Sequence, residues 1–201
     1  KIGFLMSRQG FSYTDGSMRE IAQDLLDHAR AGGATAAEVD VSEGFGQSVT
    51  VRKGEVETIE YNRDKGIGVT VYVGQRKGYA SSSDFSRDAM RATVDAALSI
   101  ARFTAEDDCA GLPDAALMAR EFRDLDLFHP WELPVEQAIE LARRCEDAAF
   151  ATSPDIRNSE GGSVSAQQSQ FISANSLGFM AGYASTRQYI SCSVIAGEQD
   201  A

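Results

Sequence analysis

Residues 55–85, EVETIEYNRDKGIGVTVYVGQRKGYASSSDF, constrain the fold more than any other stretch of the chain. The run is dense in β-formers and is punctuated by Gly66, Gly68, Gly74 and Gly78. Ile67, Val69, Val71 and Val73 alternate with Gly68, Thr70 and Tyr72. Side chains on a strand point to opposite faces with period two, so this run buries one aliphatic face. The flanks 62–66 and 74–78 are polar and carry glycine, which predicts hairpin connections and hence an antiparallel meander.

Helical stripes frame this region. Over 17–30, Met18, Ile21, Ala22, Leu25, Leu26 and Ala29 keep the spacing of one buried helical face. Ser17 with Glu20 supplies a capping-box pattern, and Gly32-Gly33 supplies a stop. Strands are predicted at 36–43, 47–53, 55–62, 66–74 and 75–82. A helix over 87–103 follows, capped by Ser86, with Met90, Val94, Ala97 and Ala101 inward. An irregular connector occupies 104–133, with a helical turn predicted at 113–119. A third helix starts at Pro134, whose missing N–H costs nothing in a first turn. Its stripe is Val135, Ala138, Ile139, Ala142, Cys145 and Ala149. From 156 to 196, serine, glutamine, glycine and aromatic residues favour strands separated by an Asn-Ser-Leu-Gly turn.

The order helix then meander therefore occurs twice, without a residue-level repeat. The expected class is α+β, as two helix-plus-antiparallel-meander halves joined by an irregular connector. The expected division is an N-terminal α+β domain (1–108), a connector (109–133) and a second helix-plus-β region (134–201).

A chain of 201 residues can bury a core as one large domain or two small ones. Its 43% apolar and 24% charged residues are ordinary for a globular protein. A net charge of −11 argues against nucleic acid and against anionic membranes as partners. No apolar run approaches the ~20 residues of a membrane helix. The opening Ile2-Gly3-Phe4-Leu5-Met6 is shorter than the ~7–15-residue core of a secretion signal, and no small-residue cleavage site follows it. Cys109, Cys145 and Cys192 form no C-x-x-C pair, which suits a reducing cytoplasm. Cys145 reads as a small buried hydrophobe on its helix stripe. Cys109 has no basic sequence neighbour to lower its pKa.

The residues offer little catalytic chemistry. A zinc peptidase needs two or three histidine or carboxylate ligands and a carboxylate base. The chain has two histidines. His28 has no second histidine a helical turn away and reads as favourable charge at a helix C-terminus. His129, beside Trp131, reads either as a ligand or as a connector anchor whose ring nitrogens find backbone partners. Asp124 and Asp126 alternate in extended chain, either as an acid/base pair or as a solvated face or salt-bridged anchor. Ser81-Ser82-Ser83 has no accompanying histidine and no G-x-S-x-G elbow. Gly66-Ile67-Gly68 and Gly44-Phe45-Gly46 lack the third glycine of a phosphate cradle. Arg63, Lys65, Arg76 and Lys77 make one local basic cluster, read as hairpin-end charges that discourage edge pairing or as a site for an acidic peptide group. No catalytic or metal-binding residue is assigned, and the substrate-binding residues stay unassigned.

Several stretches together resemble the TldD/PmbA family of metallopeptidase-related proteins. The resemblance runs through 55–85, Gly33-Ala34-Thr35-Ala36-Ala37-Glu38-Val39 and Ser42-Glu43-Gly44. It continues through Cys109-Ala110-Gly111, Asp124-Leu125-Asp126-Leu127-Phe128-His129-Pro130, Asn158-Ser159-Glu160-Gly161-Gly162 and Asn175-Ser176-Leu177-Gly178-Phe179. It covers almost everything after Ser12 and points to the PmbA (TldE) branch. The resemblance implies the N-terminal part of one subunit of a cytoplasmic metallopeptidase complex. Zinc is expected only in a TldD-type partner, whose branch carries an H-E-x-x-x-H helix, and no cofactor is expected in this chain. Implied substrates are extended peptides, including microcin leaders and labile antitoxins. A hetero- or homo-oligomer is implied. Relatives continue beyond Gly197-Glu198-Gln199-Asp200-Ala201 into a further β-rich domain. The alternative is a free-standing module that holds a peptide or small ligand without protease activity.

Overall fold

The structure, a computed structural model, describes residues 10–197. The segment Ile2–Met6 and the tail at 198–201 lie outside the described residues. In chain order the elements are α1 (Asp15–Ala31), β1 (Ala36–Arg52), β2 (Glu55–Val73), β3 (Arg76–Ser82) and α2 (Arg87–Phe103). A 3-10 turn at Ala115–Leu117, α3 (Val135–Phe150), β4 (Ile156–Asn175) and β5 (Met180–Ala196) complete them. The strands form one five-stranded sheet in the order β3-β2-β1-β4-β5. The fold is α+β.

Contacts group the chain into two units that cut across the consecutive segments 1–108, 109–133 and 134–201. The first unit takes the described residues up to Glu43, with Asp64–Leu125 and Gln170–Ala184. The second takes Gly44–Arg63, Asp126–Ser169 and the described residues from Ser185. Each of β1, β2, β4 and β5 is 17 to 20 residues long and supplies a segment to each unit.

In the first unit, α1 and α2 bury Met18, Leu25, Val94 and Leu98 against the alternating Val39, Val41, Ile67, Val69 and Val71. β2 and β3 pair antiparallel from Ile67↔Ser82 to Val73↔Arg76. Gly78 lets α2 close on β3, because a Cβ there would overlap Ala97 O and Ala101 N. In the second unit, Ala138 and Ala142 of α3 pack with Val49, Val51, Val164 and Leu133.

The structure corrects several local expectations. The predicted hairpin at 62–66 is continuous strand. All eleven residues from Glu55 to Lys65 are exposed, so polar side chains suit a strand with neither face packed. The strands predicted at 36–43 and 47–53 are one strand. Gly46 stays within it because the Ala166 carbonyl occupies the space of a side chain. The α1 cap is Thr14 with Ser17, not Ser17 with Glu20: Ser17 N–H donates to Thr14 Oγ1 at 3.1 Å and Thr14 N–H donates to Ser17 Oγ at 2.9 Å. The buried stripe of α3 runs Ala138, Ala142, Glu146, while Cys145 is half-buried.

Candidate functional site

His28 and His129 each lie beside an aspartate. His28 Nε2 lies 3.1 Å from Asp95 Oδ1, joining α1 to α2. His129 Nε2 lies 2.8 Å from Asp126 O and 3.4 Å from Asp126 Oδ1. The His129 N–H donates to Thr186 Oγ1 at 3.1 Å, and Gln188 Nε2 donates to the His129 carbonyl at 2.9 Å. Thr186 N–H donates to Leu127 O at 2.9 Å. These bonds lay the connector along β5. Asp124 and Asp126 are both exposed. Among the described residues, no three of histidine, cysteine, aspartate and glutamate gather where they could hold a metal ion. Neither histidine therefore has two further ligands beside it among the described residues.

The cysteines are free: Cys109 is exposed, and Cys145 and Cys192 are half-buried. Burial, with Cys145 and Glu146 nearby, pushes the Cys192 thiol up against the opposing pull of the Ser159 hydroxyl. A raised thiol pKa is the reverse of what an activated nucleophile needs.

The basic residues are engaged by separate neighbours. Arg63 lies 4.8 Å from the centre of the Phe45 ring. Lys65 lies 4.8 Å from the Phe85 ring centre and donates to Tyr13 OH at 3.2 Å. Arg76 reaches Glu106 at 3.3 Å and the Arg102 carbonyl at 3.1 Å. Lys77 is exposed on β3.

Two of the sequence motifs do meet. Gly66 and Gly68 share an open groove of about 630 Å³ with Ser81-Ser82-Ser83, Asp40 and Lys65. The groove is polar, lined by hydroxyls together with Asp40 and Lys65, so it can bind a ligand by hydrogen bonds.

Two buried carboxylates escaped the sequence reading. Glu146, 1% exposed, accepts the N–H groups of Lys53 and Gly54, each at 2.9 Å. These two residues make the β1–β2 turn with φ of 52° and 78°. Arg143 Nε donates to the Gly54 carbonyl at 2.9 Å from the same helix. Burial pushes the Glu146 carboxyl up, but the Ser159 hydroxyl, both turn N–H groups and Arg52 together hold it below its ordinary value. Glu43, 3% exposed, accepts the N–H groups of Ser12 at 2.7 Å and Tyr13 at 3.1 Å. Burial again raises its pKa, and the bonds from Ser12, Tyr13 and Gln170 lower it further than burial raises it. Both positions continue a buried period, Glu43 after Val39 and Val41, and Glu146 after Ala138 and Ala142. A carboxylate on an apolar stripe was the available signal.

Comparison with known proteins supplies what the site alone does not. Residues 37–101 match PmbA/TldA metallopeptidase domain 1, and residues 128–201 match the PmbA/TldA metallopeptidase central domain. The metalloprotease PmbA of Escherichia coli O157:H7 is 46% identical over 185 residues, covering 90% of this chain and 41% of that protein. The metalloprotease PmbA homolog of Haemophilus influenzae is 41% identical over 184 residues, covering 92% and 41%. The chain thus spans about two fifths of the length of these relatives. Among solved structures, a Bacteroides thetaiotaomicron protein described as a candidate modulator of DNA gyrase shares the fold with TM-score 0.81 at 20% identity, over 92% of this chain and 42% of that one. TldE from Thermococcus kodakarensis superposes with TM-score 0.68 at 12% identity, over 90% of this chain and 40% of that one. By its matched domains and its identity to the PmbA metalloproteases, the chain belongs to the PmbA/TldD family.

Proposed function

We propose that this chain is the N-terminal part of a PmbA/TldE-type, non-catalytic subunit of a cytoplasmic metallopeptidase complex. The complex acts on extended peptides, in the manner of microcin leader removal and antitoxin degradation. Zinc belongs to a TldD-type partner, and this chain contributes enclosure and peptide contact. The observation that carries the reading is the 46% identity to metalloprotease PmbA over 90% of the chain. The His28–Asp95 and His129–Asp126 pairs support the non-catalytic role, because neither by itself makes the three-ligand set of a zinc centre. Among the described residues, no helix is long and apolar enough to cross a membrane. Nucleic acid and membranes are not partners on this reading, in keeping with the net charge of −11. The division into an N-terminal α+β domain (1–108), a connector (109–133) and a second helix-plus-β region (134–201) is part of this proposal, supported by the family matches at 37–101 and 128–201.

The test is cleavage of an unstructured peptide by the full-length subunit alone, by a TldD-type partner alone, and by both. Cleavage requiring both, and abolished by chelation, is the expected result. Metal-dependent cleavage by this subunit alone overturns it. The polar groove over Gly66 and Gly68 favours a second reading, a peptide- or ligand-binding module without protease activity. Binding with silence in all three cleavage arms would select it.

A further inference from the structure

The sheet of the first unit carries, on the face away from α1 and α2, a trough whose floor has no side chains. Ile67 and Val69 point into the core, so Gly66 and Gly68 lie on the opposite face. Along one side, β1 turns Asp40 and Ser42 to that face, because Val39 and Val41 are its core residues. Along the other, Ser81 stands opposite Gly68 and Tyr79 opposite Thr70. Tyr79 leans over β2, with its hydroxyl 3.2 Å and a ring carbon 3.4 Å from where a Cβ on Gly68 would stand. A Cβ on Gly66 would meet only Ser42 Oγ at 3.8 Å and Ser82 O at 3.9 Å. Two glycines thus leave open part of a space of about 630 Å³ that larger residues would fill.

The walls present acceptors without a cation. Among the described residues, Asp40 makes no ion pair. Lys65 lines the same trough, but its ammonium is drawn to Tyr13 OH at 3.2 Å and to the Phe85 ring centre at 4.8 Å. The hydroxyls of Tyr79, Ser81 and Ser83 make no hydrogen bond among the described residues. Ser42 Oγ donates to Gly66 O at 3.4 Å, which leaves its lone pairs free to accept. One unpaired carboxylate among hydroxyls suits a ligand group that carries positive charge and only donates.

We propose that this trough binds the guanidinium group of an arginine side chain. Asp40 takes the planar fork through two parallel bonds, and the hydroxyls of Ser81 and Tyr79 on the far wall accept remaining N–H groups. The glycine floor leaves room for the aliphatic stem. A lysine ammonium is a compact point charge without this fork, and it pairs less well with both walls at once. The trough is the groove of the peptide-binding reading, and the assignment of arginine as its ligand rests on that reading. Because the trough is open, water screens the pairing and the affinity is about millimolar.

The experiment is calorimetric titration of the full-length protein with an unstructured peptide containing one arginine. The same peptide with citrulline or lysine at that place, and N-acetyl-arginine amide, are titrated beside it. The arginine peptide is expected to bind about fivefold or more tightly than the citrulline peptide, with the lysine peptide between them. Asp40→Asn removes this preference. Gly66→Ala makes only ordinary contacts, fills the floor, and weakens the arginine peptide by about the same factor. Asp24→Asn, an exposed aspartate of α1 outside the trough, leaves binding unchanged. Circular dichroism confirms the fold of each variant. Arginine binding indifferent to Asp40→Asn overturns the proposal, as does equal binding of the lysine and arginine peptides. Equal binding of all three peptides also overturns it, and leaves the peptide-binding reading standing. N-acetyl-arginine amide that binds through Asp40 while no peptide binds keeps the guanidinium site and overturns the peptide-binding reading. Silence from every probe overturns both.

Discussion

Replacing Glu146 by glutamine tests how the β1–β2 turn is held. The carboxylate receives two backbone N–H groups at 2.9 Å and is 1% exposed, so both bonds are charge-assisted and shielded. Glutamine keeps the shape and one acceptor oxygen, but turns an amide N–H₂ toward the second donor. A donor left without its acceptor costs about 1–3 kcal/mol, and loss of charge on the remaining bond about 1 kcal/mol more. Lys53 is exposed, so water can re-satisfy part of the turn. The expected loss is about 2–4 kcal/mol near neutral pH, a large share of an ordinary domain's stability. Because the folded-state pKa lies below the ordinary 4.5, this contribution is present above that value and is lost as pH falls through the folded pKa. The difference between wild type and Glu146→Gln should therefore shrink on acidification below about pH 4.5. Urea melts at several pH values measure it, with amide exchange at Lys53 and Gly54 as the local readout, since a chain of two units need not unfold in one step. A loss under about 1 kcal/mol at neutral pH, with unchanged exchange at both amides, would mean that the Glu146 carboxylate does not hold the turn.

Other perturbations follow from the same contacts. Leu25→Ala removes a 1% exposed side chain of α1 and should cost about 2–5 kcal/mol in denaturant melts; a loss under about 1 kcal/mol would make the helix peripheral. Gly78→Ala should cost at least as much, because the new methyl overlaps α2 backbone atoms that cannot swing aside; an unchanged melting midpoint would contradict that packing. Tyr72, pushed up to about 12 by burial and by the bond and charge of Glu38, should stay un-ionised in spectrophotometric titration until well past exposed tyrosines.

What was legible in the sequence followed from burial with a regular period. Ile67, Val69 and Val71 are 1%, 0% and 0% exposed, as their alternation requires. The stripes of α1 and α2, the Ser86 cap and the turn at Asn175 to Gly178 all came from local chemistry that the folded chain keeps. The strand continuity at 44–46 and 62–66 was not legible. Glycine and charge there signal a turn, but the neighbour that excludes a side chain at Gly46 is Ala166, more than a hundred residues on. Cap assignment failed for a related reason. Thr14 and Ser17 both suit a cap, and only the backbone path at Thr14, extended at φ −82° and ψ 160°, selects between them. Of the candidate site residues, the glycine pair and the serine cluster converge on one groove across three strands. Glu43 and Glu146 were passed over because a carboxylate on an apolar stripe reads as an interruption, whereas each receives two backbone N–H groups contributed by another part of the chain.

On the proposed function, this subunit serves a metallopeptidase without holding its metal. Elemental analysis tests it most directly. The full-length protein is chelator-washed, resupplied with zinc and desalted, alone and again after co-purification with a TldD-type partner. The expected result is no stoichiometric zinc in this subunit alone and zinc that appears only with the partner. One equivalent of zinc retained by this subunit alone, and lost in the His129→Ala variant, would contradict it.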